Sequence, residues 1–256
     1  MKQILIPLAL AASLLAHGPA AWADPVPRLV KELQTNPSEK VRMTAVLSLS
    51  KFADPRVTKA LTDALGKESE DPKVRGFAAM ALGRLRAEEA IPALQKAARA
   101  SDPFLKGKAG AALETLCPSS LSGKRIYVNL DKFKASGPSA QLAKSIALVQ
   151  LARALGEKPE LTTGWPGCRK PTARDIGGKR MKAFFMDTSV KVSTEGGKVA
   201  CHVNVLFTTY PDQSIKGNAG AKASVPGAPD GDVLSGLIEA LVGAIKSDIV
   251  RFLDSQ

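Results

Sequence analysis

The sequence predicts a multi-domain protein in which an all-α repeat solenoid precedes a small α+β domain. Two observations lead to this prediction. The first half repeats one apolar register three times, and the second half alternates strand-like and helix-like patterns. We expect a signal peptide at 1–23, the solenoid at 24–121, and at 122–256 an α+β domain with an antiparallel or mixed sheet and two helices.

The repeat is clearest in three aligned blocks, which begin at Val41, Val74 and Leu105. The blocks are therefore 33 and 31 residues apart. One column of the alignment holds a leucine each time: Leu49, Leu82 and Leu113. A fixed period of this size is typical of a stacked solenoid, in which each unit buries its apolar face against its neighbours.

Each unit is predicted to contain two helices. The first helix of the first unit carries an apolar stripe with i, i+3, i+4, i+7 spacing, formed by Val26, Leu29, Val30 and Leu33. An Asn-Pro or Asp-Pro pair precedes each second helix: Asn36-Pro37, Asp71-Pro72 and Asp102-Pro103. Asp and Asn are favourable N-caps, and proline fits the first helical position, so these pairs predict helix starts.

An alanine and a leucine follow the segment Asp71-Pro72-Lys73-Val74-Arg75 at fixed spacing. This pattern resembles HEAT-like repeats of the kind first described in phycobilisome lyases. The resemblance covers about 25–116 and implies a helical solenoid. Solenoids offer binding surfaces and seldom carry chemistry, which favours a binding or scaffolding role. Some members of that family attach bilins, and others hold a di-iron centre. The only histidine after residue 23 is His202, so the ligand count excludes a di-iron site. We predict no cofactor and no metal.

A basic column runs through the repeats, formed by Arg42, Arg75 and Lys106. These side chains could form a ladder along a binding face. Alternatively, they pair with loop carboxylates such as Asp71 and Asp102 and so connect neighbouring units, as the arginine of HEAT-like repeats commonly does. The second interpretation is the one the family resemblance favours.

The second half begins after a loop at 118–123 that is rich in Ser, Pro and Gly. Its alternating and helical patterns predict a strand, a helix, a hairpin, a further strand and a closing helix. The predicted elements are, in order, 125–130, 141–155, 183–192 paired with 199–207, 214–225 and 233–253.

This order of elements, with the small-residue strand around Gly217–Ala221, resembles the small periplasmic domain of the curli-secretion lipoprotein and of the Tol-system propeller protein. The resemblance rests on topology. It implies a domain that assembles or binds partners, and it brings no catalytic residues to this chain.

The N-terminus has the pattern of a secretory signal peptide, with Lys2, an apolar run at 4–15 and the small-x-small site Ala21-Trp22-Ala23. Cleavage before Asp24 would give a periplasmic or secreted protein. The alternative is an amphipathic N-terminal helix that stays in the mature chain. No later stretch predicts a transmembrane segment.

The chain carries a formal net charge of +12, and most of the excess lies in the second half. Outside the cytoplasm this charge favours anionic polymers, lipid headgroups or acidic proteins over nucleic acid. Six bases fall within fourteen residues and face only Asp175: Arg169, Lys170, Arg174, Lys179, Arg180 and Lys182. This basic loop is either an ordinary solvated loop or an anion-binding patch.

The cysteines are Cys117, Cys168 and Cys201. In an oxidising compartment one disulfide is expected, and we favour Cys168–Cys201 because both lie in the second half. Cys117 would then be a small buried apolar residue. Pairing through Cys117 would instead join the two halves. His202 has no nucleophile in a motif context, so we predict no catalytic residues.

Together these patterns predict an exported, non-enzymatic protein of the bacterial envelope that binds or scaffolds another protein through its repeats. Two other functions remain open at this stage. One is a lyase-like enzyme that acts on a bound cofactor. The other is a binder of anionic polymer or lipid through the basic loop.

Overall fold

The computed structural model describes residues 24–256 and contains two packed units, a helical solenoid and a sheet covered by helices on one face. This arrangement confirms the predicted fold class. The predicted signal peptide lies outside the described residues. The solenoid helices are α1 Pro25–Thr35, α2 Glu39–Leu49, α3 Pro55–Gly66, α4 Pro72–Arg84, α5 Ile91–Ala97 and α6 Pro103–Leu116. No helix in 24–256 is long and apolar enough to cross a membrane.

Aspartate side chains cap most of these helices, as the Asp-Pro pairs predict. Asp71 accepts a hydrogen bond from the Lys73 amide at 2.7 Å, and Asp102 accepts one from Leu105 at 2.8 Å. The prediction was wrong at Asn36, because α2 begins two residues later, after Ser38. Asn36 instead accepts from the Ser38 amide and so forms a turn ahead of the helix.

The aligned columns of the repeats form the solenoid core. Val74, Leu49 and Leu82 are fully buried. Leu113, the counterpart of Leu49 and Leu82 in the last unit, is only half-buried. Each fully buried leucine contributes about 1.5–3 kcal/mol relative to an exposed one.

The second unit is a six-stranded mixed sheet. Its elements are β1 Ile126–Asn129, β2 Phe133–Ser136, α7 Ala140–Gly156, β3 Leu161–Thr162, α8 Ala173–Gly178, β4 Lys182–Glu195, β5 Lys198–Thr209, β6 Ile215–Pro226 and α9 Gly231–Asp254. The strand order is β3-β1-β4-β5-β6, and β2 also pairs with β4. The β4–β5–β6 pairs are antiparallel, whereas the pairs with β1 and β2 are parallel. Helices α7 and α9 pack on one face, which leaves the opposite face of β4–β6 open.

A disulfide joins the two units, and it corrects the predicted pairing. Cys117, just after α6, is bonded to Cys168 in the second unit, with their Cα atoms 4.8 Å apart. Cys201 is free. Its side chain points inward from β5 into the core, so it cannot reach the exposed loop that carries Cys168. Burial raises the pKa of the Cys201 thiol to about 11, which keeps it protonated and unreactive.

Close backbone contact accompanies this disulfide. Gly164, in the loop that follows β3, lies against the last turn of α6. A Cβ atom at Gly164 would lie 2.2 Å from the carbonyl oxygen of Leu116 and 2.7 Å from Pro118. Only glycine fits this position without moving one unit away from the other.

Replacing Gly164 with alanine is therefore expected to lower the free energy of unfolding by about 1–3 kcal/mol, because the backbone of α6 must shift. Gly107→Ala is the matched control. Position 107 lies within α6 with no atom near the added methyl group, so the same change should stabilise the helix by about 0.5–1 kcal/mol. Urea denaturation of both variants checks the pair, and wild-type stability for Gly164→Ala would contradict this account of the contact.

Candidate protein-binding surface

The second helices of the three units expose apolar side chains on their outer side. Among the described residues the exposed large hydrophobic side chains are Leu47 at 42%, Met80 at 37%, Phe104 at 36% and Ile215 at 70%. The first three lie on α2, α4 and α6, one on each helix. Isolated apolar residues on a surface are ordinary, but a cluster of them marks an interaction site.

Helical spacing places these residues in one band. Leu47 and Met80 occupy equivalent positions in successive units, 33 residues apart, and α2 packs beside α4. The half-buried Met43 and Phe77 lie four and three residues before them, on the same helix faces. We call the five residues Met43, Leu47, Phe77, Met80 and Phe104 the second-helix surface.

The aromatic end of this surface is held in a fixed position. The Phe104 ring packs edge-on against Phe77, with centroids 5.4 Å apart. It also lies over Gly76, where a Cβ atom would be 2.6 Å from the ring. The ammonium group of Lys108 lies 5.4 Å from the centroid of the same ring. Aromatic pairs of this geometry contribute about 0.5–1.5 kcal/mol beyond their burial, so the ring is a rigid contact point.

Basic side chains border the second-helix surface. Lys40 and Lys73 precede Leu47 and Met80 by two helical turns on the same faces, and both are exposed. Together with Lys108 they give the apolar band a positive rim. Methionine and leucine adapt to differently shaped partners, so this surface suits an amphipathic segment with acidic flanks.

Of the two interpretations of the basic column, the contacts of Arg42 and Arg75 fit the favoured one, a structural role within the solenoid. Arg42 binds the buried carboxylate of Glu70 with a closest distance of 2.7 Å and donates to the Asn36 carbonyl oxygen at 2.8 Å. Arg75 donates to the carbonyl oxygen of Leu65 at 3.0 Å. Lys106 is exposed. The partner of Arg42 is a carboxylate in the loop of the next unit. It is Glu70 and not the expected Asp71, because Asp71 caps α4.

The basic loop is partly neutralised. Arg169 forms two hydrogen bonds to the carboxylate of Asp175, at 2.7 and 3.0 Å, and these bonds, with others from Thr172, hold the pKa of that carboxyl well below its usual range. Lys170 pairs with Asp131 at 2.6 Å. The other four bases are exposed and take part in none of the ion pairs found within 24–256: Arg174, Lys179, Arg180 and Lys182.

Several clefts lie between the units. One of them, with a volume of about 480 Å³, separates the starts of α1 and α3 from α7. Arg56 bridges Asp24 at 2.7 Å and Asp54 at 2.6 Å at its entrance, and the carboxylates raise the pKa of the guanidinium. Leu142 and Ile146 form part of its apolar wall.

A second cleft, of about 270 Å³, lies beside the disulfide and is more polar. Asn129 donates to the Tyr127 hydroxyl at 3.3 Å and to Asp131 at 2.7 Å, and Asp131 in turn pairs with Lys170. Burial raises the pKa of Tyr127 to about 12. Tyr127, Asn129, Asp131 and Lys170 thus form one connected set of polar contacts. In the part of the chain that the structure describes, no group of three or more His, Cys, Asp or Glu residues is placed to hold a metal ion.

Comparison with known proteins supports the solenoid. A sequence profile for HEAT repeats matches residues 26–114. No curated protein matches the chain. Among solved structures, a dodecameric PelC variant from Paraburkholderia phytofirmans is 14% identical, covers 50% of this chain and 93% of its own, and has a TM-score of 0.29. A second solved structure, of an uncharacterised protein, is 11% identical. The match covers 54% of this chain and 94% of that protein, with a TM-score of 0.28.

Proposed function

We propose that this chain is an exported, non-enzymatic protein of the bacterial envelope that binds another protein through its second-helix surface. The observation that carries the proposal is the alignment of exposed apolar side chains on α2, α4 and α6. HEAT repeats are protein-interaction modules, and a solenoid face of repeated helices is the usual site of binding. The positive rim favours a partner segment with acidic flanks.

Two features support export to the periplasm of a Gram-negative bacterium or secretion. The N-terminal sequence has a charged start, an apolar run and the Ala21-Trp22-Ala23 site. The disulfide between Cys117 and Cys168 fits an oxidising compartment, because disulfides are rare in the cytosol.

Glutamate substitutions at the centre of the surface test the proposal. The double variant Leu47→Glu/Met80→Glu is expected to reduce partner recovery at least about tenfold, since it places charge in an apolar contact. Both positions are exposed, so the free energy of unfolding should change by less than about 0.5 kcal/mol per site. The measurement is quantitative co-purification of the tagged full chain from cells of its own organism.

Gln34→Glu is the matched control, because Gln34 is exposed on α1, outside the second-helix surface. It should leave recovery unchanged. Equal recovery with the double variant and with wild type, at equal folding, would refute the proposed binding face.

The exposed bases of the basic loop favour a second candidate function, the binding of an anionic polymer or lipid surface. Arg174→Glu/Lys179→Glu should then weaken binding to vesicles that contain phosphatidylglycerol, in sedimentation assays at low salt. Binding that is unaffected by this variant and by salt would exclude the loop as an anion site.

A further inference from the structure

The open face of the sheet carries a row of basic side chains. Lys191 on β4, His202 on β5 and Lys222 on β6 are directly opposite one another in the strand register. All three point away from the helices, since the residues on either side of each in sequence face the other way. Lys134 on β2 points to the same side, in the adjacent row. All four residues are exposed.

No carboxylate balances this row within the described residues. Of the acids on the same face, Asp187 pairs with Lys132 at 3.7 Å, and Glu195 lies opposite Lys198 at the hairpin end. None of the ion pairs found in 24–256 involves Lys191 or Lys222. Lys191 and Lys222 lie on either side of His202, about 10 Å apart at the usual strand spacing, so one anionic group bound over His202 would interact with both ammonium groups.

The row ends at a free sheet edge. Strand β6 is twelve residues long and pairs only with β5 within the described chain, so its other side offers unpaired backbone N–H and C=O groups. Its side chains are mostly small, including Gly217, Ala219, Gly220 and Ala221, and leave this backbone open. Ile215 lies at the start of the strand with 70% of its surface exposed.

Edge protection accounts for only part of this pattern. Lysines on an edge strand discourage pairing between copies, and Lys216 and Lys222 serve that purpose here. A dimer formed edge to edge through β6 would bring the lysines of both copies together. However, Lys191 and His202 lie on internal strands, where no edge needs protection. Their alignment with Lys222 therefore requires a different explanation.

We infer that the β6 edge accepts an extended acidic segment of another protein as an added strand. The backbone of such a segment would satisfy the free edge of β6, which neither a lipid headgroup nor a polysaccharide can do. Its alternate side chains would lie on the open face, about 5 Å from Lys222, and acidic groups there would meet the basic row. This edge is separate from the second-helix surface, so either inference can fail alone.

A synthetic peptide of about ten residues with alternating Glu and Thr is the probe, because it is extended, acidic and able to pair as a strand. Fluorescence anisotropy with the full chain at low salt measures binding. We expect saturable binding that weakens as salt rises. Lys191→Glu/Lys222→Glu should weaken it at least about tenfold, with the fold checked by circular dichroism.

Two controls separate strand addition from simple charge attraction. The probe with every backbone amide N-methylated keeps its charge but has no N–H left on either edge for the backbone ladder, so it should fail to bind. Lys31→Glu/Lys67→Glu changes two exposed solenoid lysines by the same total charge and should leave the affinity nearly unchanged.

Several results would overturn the inference. These are equal binding of the methylated probe, equal weakening by the two double variants, or no binding of the probe at all. Binding of phosphatidylglycerol vesicles or polyglucuronate that is lost in Lys191→Glu/Lys222→Glu, without binding of the peptide, would assign the row to a lipid or a polymer instead.

Discussion

Replacing Arg42 with alanine is expected to lower the free energy of unfolding by about 3–5 kcal/mol, because it leaves a buried carboxylate without its partner. Glu70 is only 6% exposed, and its one other hydrogen bond is accepted from the Asp71 amide. The Arg42–Glu70 pair connects the first unit to the loop of the second. Its removal should therefore also make the unfolding of the solenoid less cooperative. Urea denaturation followed by circular dichroism measures the change.

Arg28→Ala provides the control, because Arg28 forms an exposed i, i+4 pair with Glu32 on α1. It should cost no more than about 0.5 kcal/mol. Replacing both members of the buried pair, as Arg42→Met/Glu70→Leu, should cost less than Arg42→Ala alone, since no charge is then left unpaired. A loss for Arg42→Ala as small as that for Arg28→Ala would contradict the structural role of the basic column.

Removing the disulfide is the second change with a large expected effect. Cys117→Ala/Cys168→Ala should lower the free energy of unfolding by about 2–4 kcal/mol. The bridge closes a loop of 51 residues and so reduces the conformational entropy of the unfolded chain. The same variant should loosen the contact of Gly164 with α6 and increase proteolysis between the units. Thermal unfolding with and without reductant checks both effects, since reductant should have no effect on the variant.

The bridge itself is testable by peptide mapping under non-reducing conditions. Digestion should yield one linked pair that contains Cys117 and Cys168, and thiol labelling after unfolding should find Cys201 alone. Cys201→Ala should retain the bridge and its sensitivity to reductant. Recovery of a Cys168–Cys201 peptide would restore the pairing that the sequence suggested and remove the covalent connection between the units.

Periodicity explains why most of the solenoid was predictable. Each unit buries its residues against the next at the same positions, so a column such as Leu49–Leu82 repeats visibly in the sequence. The long helices and strands of the second unit were predictable for the same reason, since α7 at 140–156 differs by one residue at each end from the helix expected at 141–155. Their patterns arise from local burial on one face.

Features that depend on distant contacts were not predictable. Strand β2 has four residues and forms only because β4 pairs with it, and the six-residue α8 depends on the capping box of Thr172. The partner of Cys168 depended on how the two units meet. The row of Lys191, His202 and Lys222 requires the strand register, which the sequence alone does not supply.

The second-helix surface could in principle have been predicted from the sequence. Met43, Leu47 and Met80 follow helical spacing outside the buried columns, but apolar residues in a repeat are normally assigned to its core. The structure distinguishes them by exposure: Leu47 is 42% exposed, whereas Val46, the residue before it on α2, is fully buried.

Site-specific photocrosslinking tests the central claim most directly. A photoreactive amino acid is placed singly at Leu47, Met80 or Phe104, and at Gln34 or Lys67 on other faces of the solenoid, in the full chain within its own cells. Our account predicts one shared crosslinked protein from the first three positions and none from the other two. Equal crosslinking from both sets, or none from the second-helix surface, would contradict it.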